Sequence, residues 1–487
     1  MTGLRQGSRE KTEYRISNFA SRRRPLLNRN SERIPAEGQP WRTCGGVSER
    51  IKNRYIPYGR RFQVRSAAGS FNTEIKHMII LVLNSGSSSL KYKLFKMPDE
   101  DLLSSGLIEN IGDTHKKSVF TYKILSHEKI ISEPACKDHR HAVKLVFDAL
   151  IGTTSGFLKN LKEIRAIGHR VVHGKDIFTG PAFVSDDSLL KMKKLTELAP
   201  LHMPVNIACI EECVKILPGV LQVAHFDTSY YSGMPEFSFL YPVPLNWYEK
   251  YSVRRYGFHG ISYQYVNEMA AHLLKKPLSG LKLISTHLGN GASITALSQG
   301  RVLDTSMGFT PLEGLMMGTR AGYFDPAIIP YLISKTGFSL EEIIKKLNNE
   351  SGLTAISGIG RDMRSIINAS KSGNSRARLA FDMFVHTLRK YMGAYFFALG
   401  GADAIILTGG IGENSPEVRE AVFENLTPLG IIIDKKANLS IKGPKTGFIN
   451  SEASKTKILV IPANEELMIA RETSIVYRKL NIVNRRS

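Results

Sequence analysis

The sequence predicts an α/β protein of two related domains behind a basic N-terminal extension, and three observations carry that expectation. The apolar run 78–83, a polar turn and the run 90–95 read as strand, tight turn and strand. Residues 282–287, the turn Gly289-Asn290-Gly291 and the runs 292–297 and 301–304 repeat that meander about two hundred residues later, which points to a duplication. The third observation is helical: 376–399 is a long amphipathic run closed by Gly400-Gly401, after which 404–407 reads as a buried strand.

The 487 residues, 42% hydrophobic and 23% charged, suffice to pack two cores. No segment approaches the ~18 consecutive apolar residues of a membrane span. The four cysteines, Cys44, Cys136, Cys209 and Cys213, fit a reducing compartment better than a disulfide framework. Cys209 and Cys213 share a helix face and have no third or fourth ligand nearby, so they read as packing residues.

The net charge of +22 is unevenly spread, for residues 1–70 hold 16 Lys and Arg against 5 Asp and Glu. Such a surface attracts anions at long range without proving nucleic-acid binding. The segment 1–77 admits three readings: a disordered arm, an organellar transit peptide, or sequence translated upstream of a start at Met78. It lacks the apolar stretch of a secretory signal. The third reading is preferred because Met78 opens a complete domain, and the segment is left out of the fold in every case.

In chain order, Asn84-Ser85-Gly86-Ser87-Ser88-Ser89 is a turn whose small residues let backbone approach an anion, with Lys91 beyond it to neutralise phosphate. A serine-rich hairpin turn would read the same. Arg170, between His169 and Val171-Val172-His173, offers a planar fork for carboxylate or phosphate in an apolar frame, or a surface ion pair. Asp227 ends an apolar run, where it suits general-base or orienting work, or simply starts a turn. His202 and His259 stand alone between apolar neighbours, as core histidines often do. Arg320, inside Met317-Gly318-Thr319-Arg320-Ala321-Gly322, is either an internal arginine finger or a helix-end cap. Residues 409–414 form a glycine turn between the strand 404–407 and a helix opened by Ser415-Pro416-Glu417, a place that favours phosphate. Asn84 and Glu465 are the best oxygen donors for a metal; magnesium takes one or two protein ligands besides nucleotide phosphates. No Walker A loop, protein-kinase catalytic loop or zinc-spaced His/Cys set is present in the sequence.

Taken in order, the motifs 84–89, 168–174, 287–291, 409–414 and 464–467, with Arg254-Arg255-Tyr256-Gly257-Phe258-His259-Gly260 and 304–311, resemble those of the acetate kinase family over essentially all of 78–487. The resemblance implies the acetate and sugar kinase/actin fold, with two duplicated actin-like, ribonuclease H-like domains closing over a cleft. They would comprise 78–227 plus 465–487, and 228–464 with the nucleotide-binding loops. The implied reaction is reversible transfer of the ATP γ-phosphoryl group to acetate, giving acetyl phosphate and ADP, with Mg²⁺ or Mn²⁺ in its place. By the same resemblance Asn84 and Glu465 are the metal ligands, Lys91 a nucleotide-phosphate contact and Arg170 the substrate-binding arginine. Asp227 resembles the essential acid, His259 and Arg320 the transition-state stabilisers, and His202 a further active-site histidine. Val172, Leu201, Phe258 and Pro311 resemble the methyl pocket. The nucleotide loops would be His287, Leu288, Gly289, Asn290 and Gly291; Asp362, Met363 and Arg364; and Gly410, Ile411, Gly412, Glu413 and Asn414.

Acetate is already ionised at neutral pH, so Asp227 is expected to orient Arg320 or metal-bound water rather than to remove a proton. Tyr231 and Tyr263 stand where the family often has histidine, Met363 where an aromatic often packs on adenine, and Ser85 for alanine, leaving base preference and pH dependence open. Val172 favours acetate; one methylene is worth only about 1–3 kcal/mol, so propionate is expected to be a slower substrate. A homodimer, a cytoplasmic location and a functional link to a phosphate acetyltransferase complete what the resemblance implies, with no membrane or nucleic-acid partner. The alternatives are a propionate (short-chain fatty acid) kinase, and a non-catalytic nucleotide- or nucleic-acid-binding protein working through its basic leader. The second would have no reason to combine Asn84, Arg170, Asp227, His259, Arg320 and Glu465.

Overall fold

The computed structural model describes residues 77–124, 130–152 and 158–484, so the expected leader, up to residue 76, lies outside the described residues. The first sheet contains β1 (Met78–Ser85), β2 (Ser89–Met97), β3 (Asp101–Glu109), β4 (Val119–Ile124), β5 (Ile130–Ser132), β6 (Ile164–Val171), β7 (Ala182–Phe183) and β8 (Leu221–Phe226), in the order β5-β4-β3-β2-β1-β6-β8-β7. The second contains β9 (Lys282–Leu288), β10 (Ala292–Ser298), β11 (Arg301–Thr305), β12 (Ala404–Thr408), β13 (Gly447–Phe448) and β14 (Lys457–Val460), in the order β11-β10-β9-β12-β14-β13. Both sheets run as an antiparallel meander, two strands parallel to its last member, and an antiparallel edge. The expected duplication is thus present strand for strand, with β3-β2-β1-β6-β8-β7 matching the whole second sheet.

Alternation along β1 explains why it is buried on both sides. Met78, Ile80 and Val82 pack on Leu467, Met468 and Ile469 of the C-terminal helix Glu465–Asn484. Leu81 and Leu83 face the opposite way, toward Val143, Val146 and Phe147 of the helix His139–Ile151 and Cys209 and Cys213 of the helix Met203–Ile216. Both cysteines are buried packing residues, and burial pushes the Cys209 thiol up to about 12. Gly168 on β6 lets the C-terminal helix sit close, since a Cβ there would overlap Ile469 and Thr473.

In the second half the helix Gly260–Leu273 covers one face of its sheet through Tyr263, Val266 and Ala270. The run expected at 376–399 is the helix Ser375–Ala398, capped by Asn374 and turned toward the core with Ala377, Ala380, Phe384, Leu388 and Met392. One local expectation is corrected. Residues 409–414 are not an open turn but a short helix, Gly409–Asn414, and the Ser415 side chain caps nothing. Gly409, at φ +77°, lies so close to the Leu288 backbone that a Cβ would clash, and the fully buried Arg419 donates to the Gly412 and Glu413 carbonyls. The chain therefore winds before Pro416. No helix among the described residues is long and apolar enough to cross a membrane.

Candidate active site

Parallel pairing of β1 with β6 and of β6 with β8 brings three strand ends side by side, with Asn84, Arg170 and Asp227 at or just beyond the last pairs. Arg170 lies opposite His225, and the Asp227 N–H donates to the Val171 carbonyl at 3.0 Å. Carboxyl ends of parallel strands are where open α/β sheets bind ligands. Here Arg170 Nε and Nη2 donate to Asp227 Oδ1 and Oδ2 at 3.1 and 2.6 Å, while Nη1 donates to Asn84 Oδ1 at 3.1 Å. Glu465, from the start of the C-terminal helix, lies 3.8 Å from Arg170 Nε and accepts from Asn84 Nδ2 at 3.2 Å. Asp227 is only 1% exposed, and burial pushes its carboxyl up while the Arg170 charge and hydrogen bonds pull it down. Burial opposes the guanidinium charge too, but Asp227, Glu465 and Glu466 outweigh it and hold Arg170 well above its ordinary value. The sequence reading has Asp227 orient Arg320 or metal-bound water; here each of its oxygens accepts from Arg170, and no hydrogen bond among the described residues joins it to Arg320.

Glu466 has no role in the sequence reading, yet it anchors this corner. It is buried, accepts from Asn84 Nδ2 at 3.1 Å, and pairs with Lys91 Nζ at 3.0 Å and Lys93 Nζ at 3.1 Å. Burial pushes its carboxyl up, but the two ammonium groups outweigh burial and hold it down at about 2. Lys93 also donates to Asn464 at 2.8 Å. The available signals were the spacing of Lys91 and Lys93, which puts both on one face of a strand, and the consecutive acids opening a helix. Asn206 was missed as well; its Oδ1 accepts from the Val172 N–H and its Nδ2 donates to Ser85.

A second group converges from the other sheet. His259 Nδ1 is 2.9 Å from Ser293 Oγ, and its ring stacks on His287 at 4.3 Å with planes 22° apart. A Cβ placed on Gly291 would lie 3.3 Å from His259 Nε2 and 3.7 Å from Arg320 Nη1, so both groups face the Gly289-Asn290-Gly291 turn. Burial, then His287, Arg170 and Arg320, push the His259 imidazole well below its ordinary value, keeping it neutral. His287, with Nδ1 2.8 Å from Ser262 Oγ, is lowered chiefly by burial, and His202 is brought down to about 4 by burial, then by Arg320 and Arg170. Arg320 donates to the Pro311 carbonyl at 3.2 Å and has no ion pair among the described residues; burial lowers its pKa. A cation held this way has unused donors for an anion.

The remaining expected residues sit differently. Val172 and Phe258 are buried, while Leu201 is 68% exposed. Met363 is 2% exposed within the core of the second half, and Asp362 caps its helix and pairs with Arg364 at 3.2 Å on the surface. No hydrogen bond or ion pair among the described residues joins these three to the Arg170 cluster. Glu413 ties Gly410-Ile411-Gly412 to the segment leading into the C-terminal helix, since its Oε1 accepts from the Gly409 N–H at 2.9 Å and the Ala463 N–H at 3.0 Å, just before Glu465. Asn84 Oδ1 and Glu465 Oε2 each accept one of these bonds and keep a lone pair, which suits a hard cation carried mainly by phosphate oxygens. No larger His, Cys, Asp and Glu group fit for a metal occurs among the described residues.

A model of the acetokinase family matches residues 79–471. An acetate kinase of Thermoanaerobacter pseudethanolicus is 47% identical over 404 residues, 83% of this chain and 100% of that protein. The crystal structure of Porphyromonas gingivalis acetate kinase superposes with a TM-score of 0.77 at 40% identity, covering 82% of this chain and 99% of the other. A propionate kinase from Francisella tularensis superposes with a TM-score of 0.76 at 41% identity, with the same coverage.

Proposed function

This chain belongs to the acetokinase family and its activity is that of an acetate kinase, and we propose that the residues gathered at the strand ends carry the reaction as follows. Arg170 binds the acetate carboxylate. Three of its five N–H groups are taken by Asp227 and Asn84, leaving two for a planar carboxylate. Asp227 fixes the plane of that guanidinium. Val172, its backbone held by Asn206, and Phe258 flank the methyl group, with Pro311 and Leu201 at the rim.

An acetate oxygen attacks the γ-phosphorus of ATP as the bond to the ADP oxygen breaks, and no proton leaves the acceptor. The developing charge on the equatorial oxygens is met by Arg320 and by the neutral His259, with His202 nearby. Lys91, Gly289-Asn290-Gly291 and the helix Gly409–Asn414 face the nucleotide phosphates, and the exposed Asp362 and Arg364 its base, while Met363 packs into the core beneath them instead of meeting the base. When bound, Mg²⁺ would be held by Asn84 and Glu465 and would neutralise charge on the phosphates. The reading includes two domains, 78–227 with 465–487 and 228–464, a homodimer in the cytoplasm, and a phosphate acetyltransferase as the enzyme that shares acetyl phosphate.

What carries the proposal is the half-buried Arg170 fork gripped by Asp227, together with a second arginine, Arg320, that has no acidic partner among the described residues, both arginines acting on His202 and His259. Acetyl phosphate formed by the full chain from ATP, Mg²⁺ and acetate, trapped with hydroxylamine, tests it. Acetate-dependent trapping, with propionate slower, is expected. A folded chain that traps neither acyl group would sink the reading.

A further inference from the structure

We propose that Tyr263 and Ser293 are positioning residues that fix His259 as its Nε2–H tautomer, so that an uncharged imidazole donates a hydrogen bond toward the transferring phosphoryl group. The proposal rests on the reaction assigned above and adds two residues to it.

The arrangement begins with backbone. His259 adopts φ +60°, ψ 23°, immediately before the helix Gly260–Leu273. This left-handed conformation is costly for a residue with a Cβ. It is held by Gly260, whose N–H donates to the Asp227 carbonyl at 3.1 Å and whose missing Cβ lets that carbonyl approach. The ring is thereby laid over the β9–β10 turn, on His287. One helical turn further on, Tyr263 is fully buried, and its hydroxyl lies 2.6 Å from Ser293 Oγ on β10. Ser293 Oγ in turn lies 2.9 Å from His259 Nδ1.

Each member of this chain has one proton to place. Tyr263 keeps its own, since burial pushes the phenol up, and the neutral imidazole has one N–H and one lone pair. Ser293 Oγ could also accept from both neighbours, but its own proton would then have no acceptor among the described residues at a fully buried site, which leaves two directions along the chain. With Tyr263 donating to Ser293 and Ser293 to Nδ1, the imidazole proton is on Nε2, the nitrogen facing Gly291 and Arg320. With the chain reversed, Tyr263 must hand its proton elsewhere, to Thr295, the other hydroxyl it meets, itself 2.9 Å from Thr305 Oγ1. Nε2 would then present a lone pair to the phosphoryl oxygens. Only the first direction places a donor where negative charge develops.

Histidine-selective ¹⁵N NMR of the full chain, with His259 assigned by the signal lost in His259→Gln, reads the tautomer without reference to activity. Wild type should show a protonated Nε2 and an unprotonated Nδ1. In Tyr263→Phe and Ser293→Ala the two tautomers should mix, and kcat should fall on the order of tenfold, about 1.4 kcal/mol, with the KM values for acetate and ATP within twofold. Ser293→Thr should keep both tautomer and rate, and Tyr263→Phe should cost nothing further in a His259→Gln background. A wild-type Nδ1–H tautomer overturns the proposal whether or not any variant folds, and so does a folded Tyr263→Phe enzyme with unchanged tautomer and kcat. Inactivity of the wild-type chain would instead overturn the assigned reaction, and the NMR would still decide the tautomer.

Discussion

Replacing Asp227 with asparagine is the most direct probe of how the acceptor is held. The change is nearly isosteric, yet it removes the charge that meets Arg170 through two hydrogen bonds, at 3.1 and 2.6 Å. It also turns an amide N–H toward one of the guanidinium N–H groups. Breaking a buried ion pair from one side costs about 3–5 kcal/mol, and each 1.4 kcal/mol lowers the rate about tenfold. Solvent access to Arg170 puts the expected loss at the lower end, so kcat/KM for acetate should fall on the order of a hundredfold. Glu465, 3.8 Å away, would retain part of the pairing and let the guanidinium rotate out of plane. Acetyl phosphate trapped against a series of acetate concentrations, at saturating ATP and Mg²⁺, should show the acetate KM rising while that for ATP stays within about threefold. Near-normal turnover with an unchanged acetate KM would refute the orienting role of Asp227.

Three other outcomes are expected. Arg320→Ala should lower kcat on the order of a thousandfold with little change in either KM, as for loss of an arginine that meets only the transition state; a loss confined to KM in steady-state kinetics would argue against this. Val172→Ala should raise the propionate-to-acetate ratio of kcat/KM about tenfold by opening one methyl group of space, and paired assays with an unchanged ratio would remove Val172 from the acyl pocket. Glu466→Gln leaves Lys91 and Lys93 facing a neutral group and should destabilise the fold by about 2–3 kcal/mol. Because the folded carboxyl is held at about 2, below its unfolded value, its contribution is present above pH ~4.5 and disappears as pH falls toward 2. Urea midpoints of wild type and variant should therefore converge across that window, and a constant gap would show that pairing is not the source.

Much of the fold was legible because each half repeats a strand–turn–strand signal with clear punctuation. The Gly289-Asn290-Gly291 turn and the closing Gly400-Gly401 mark where runs must stop, and the period-2 pattern of β1 survives burial on both faces. The helix Gly409–Asn414 was not legible. Its winding depends on the Leu288 backbone and on Arg419, which are brought to it by tertiary contact. Arg170, Asp227, Arg320 and Glu465 were singled out through the ordered family motifs, since the first three taken alone read equally as a surface pair, a turn or a cap; of the four only Asp227 is buried.

By itself, then, the sequence determined the α/β class, the duplication, the acetokinase resemblance and the residue types of the phosphotransfer site, because these rest on local periodicity and on short motifs. Only the tertiary structure decided who faces whom: that Asp227 grips Arg170 rather than Arg320, that Glu466 binds two lysines, and that Tyr263 reaches His259 through Ser293. These pairs join separate strands and helices, and the 2.6–3.1 Å contacts among them depend on strand register and helix docking. A linear reading supplies the donors and acceptors, but burial and packing choose the partners.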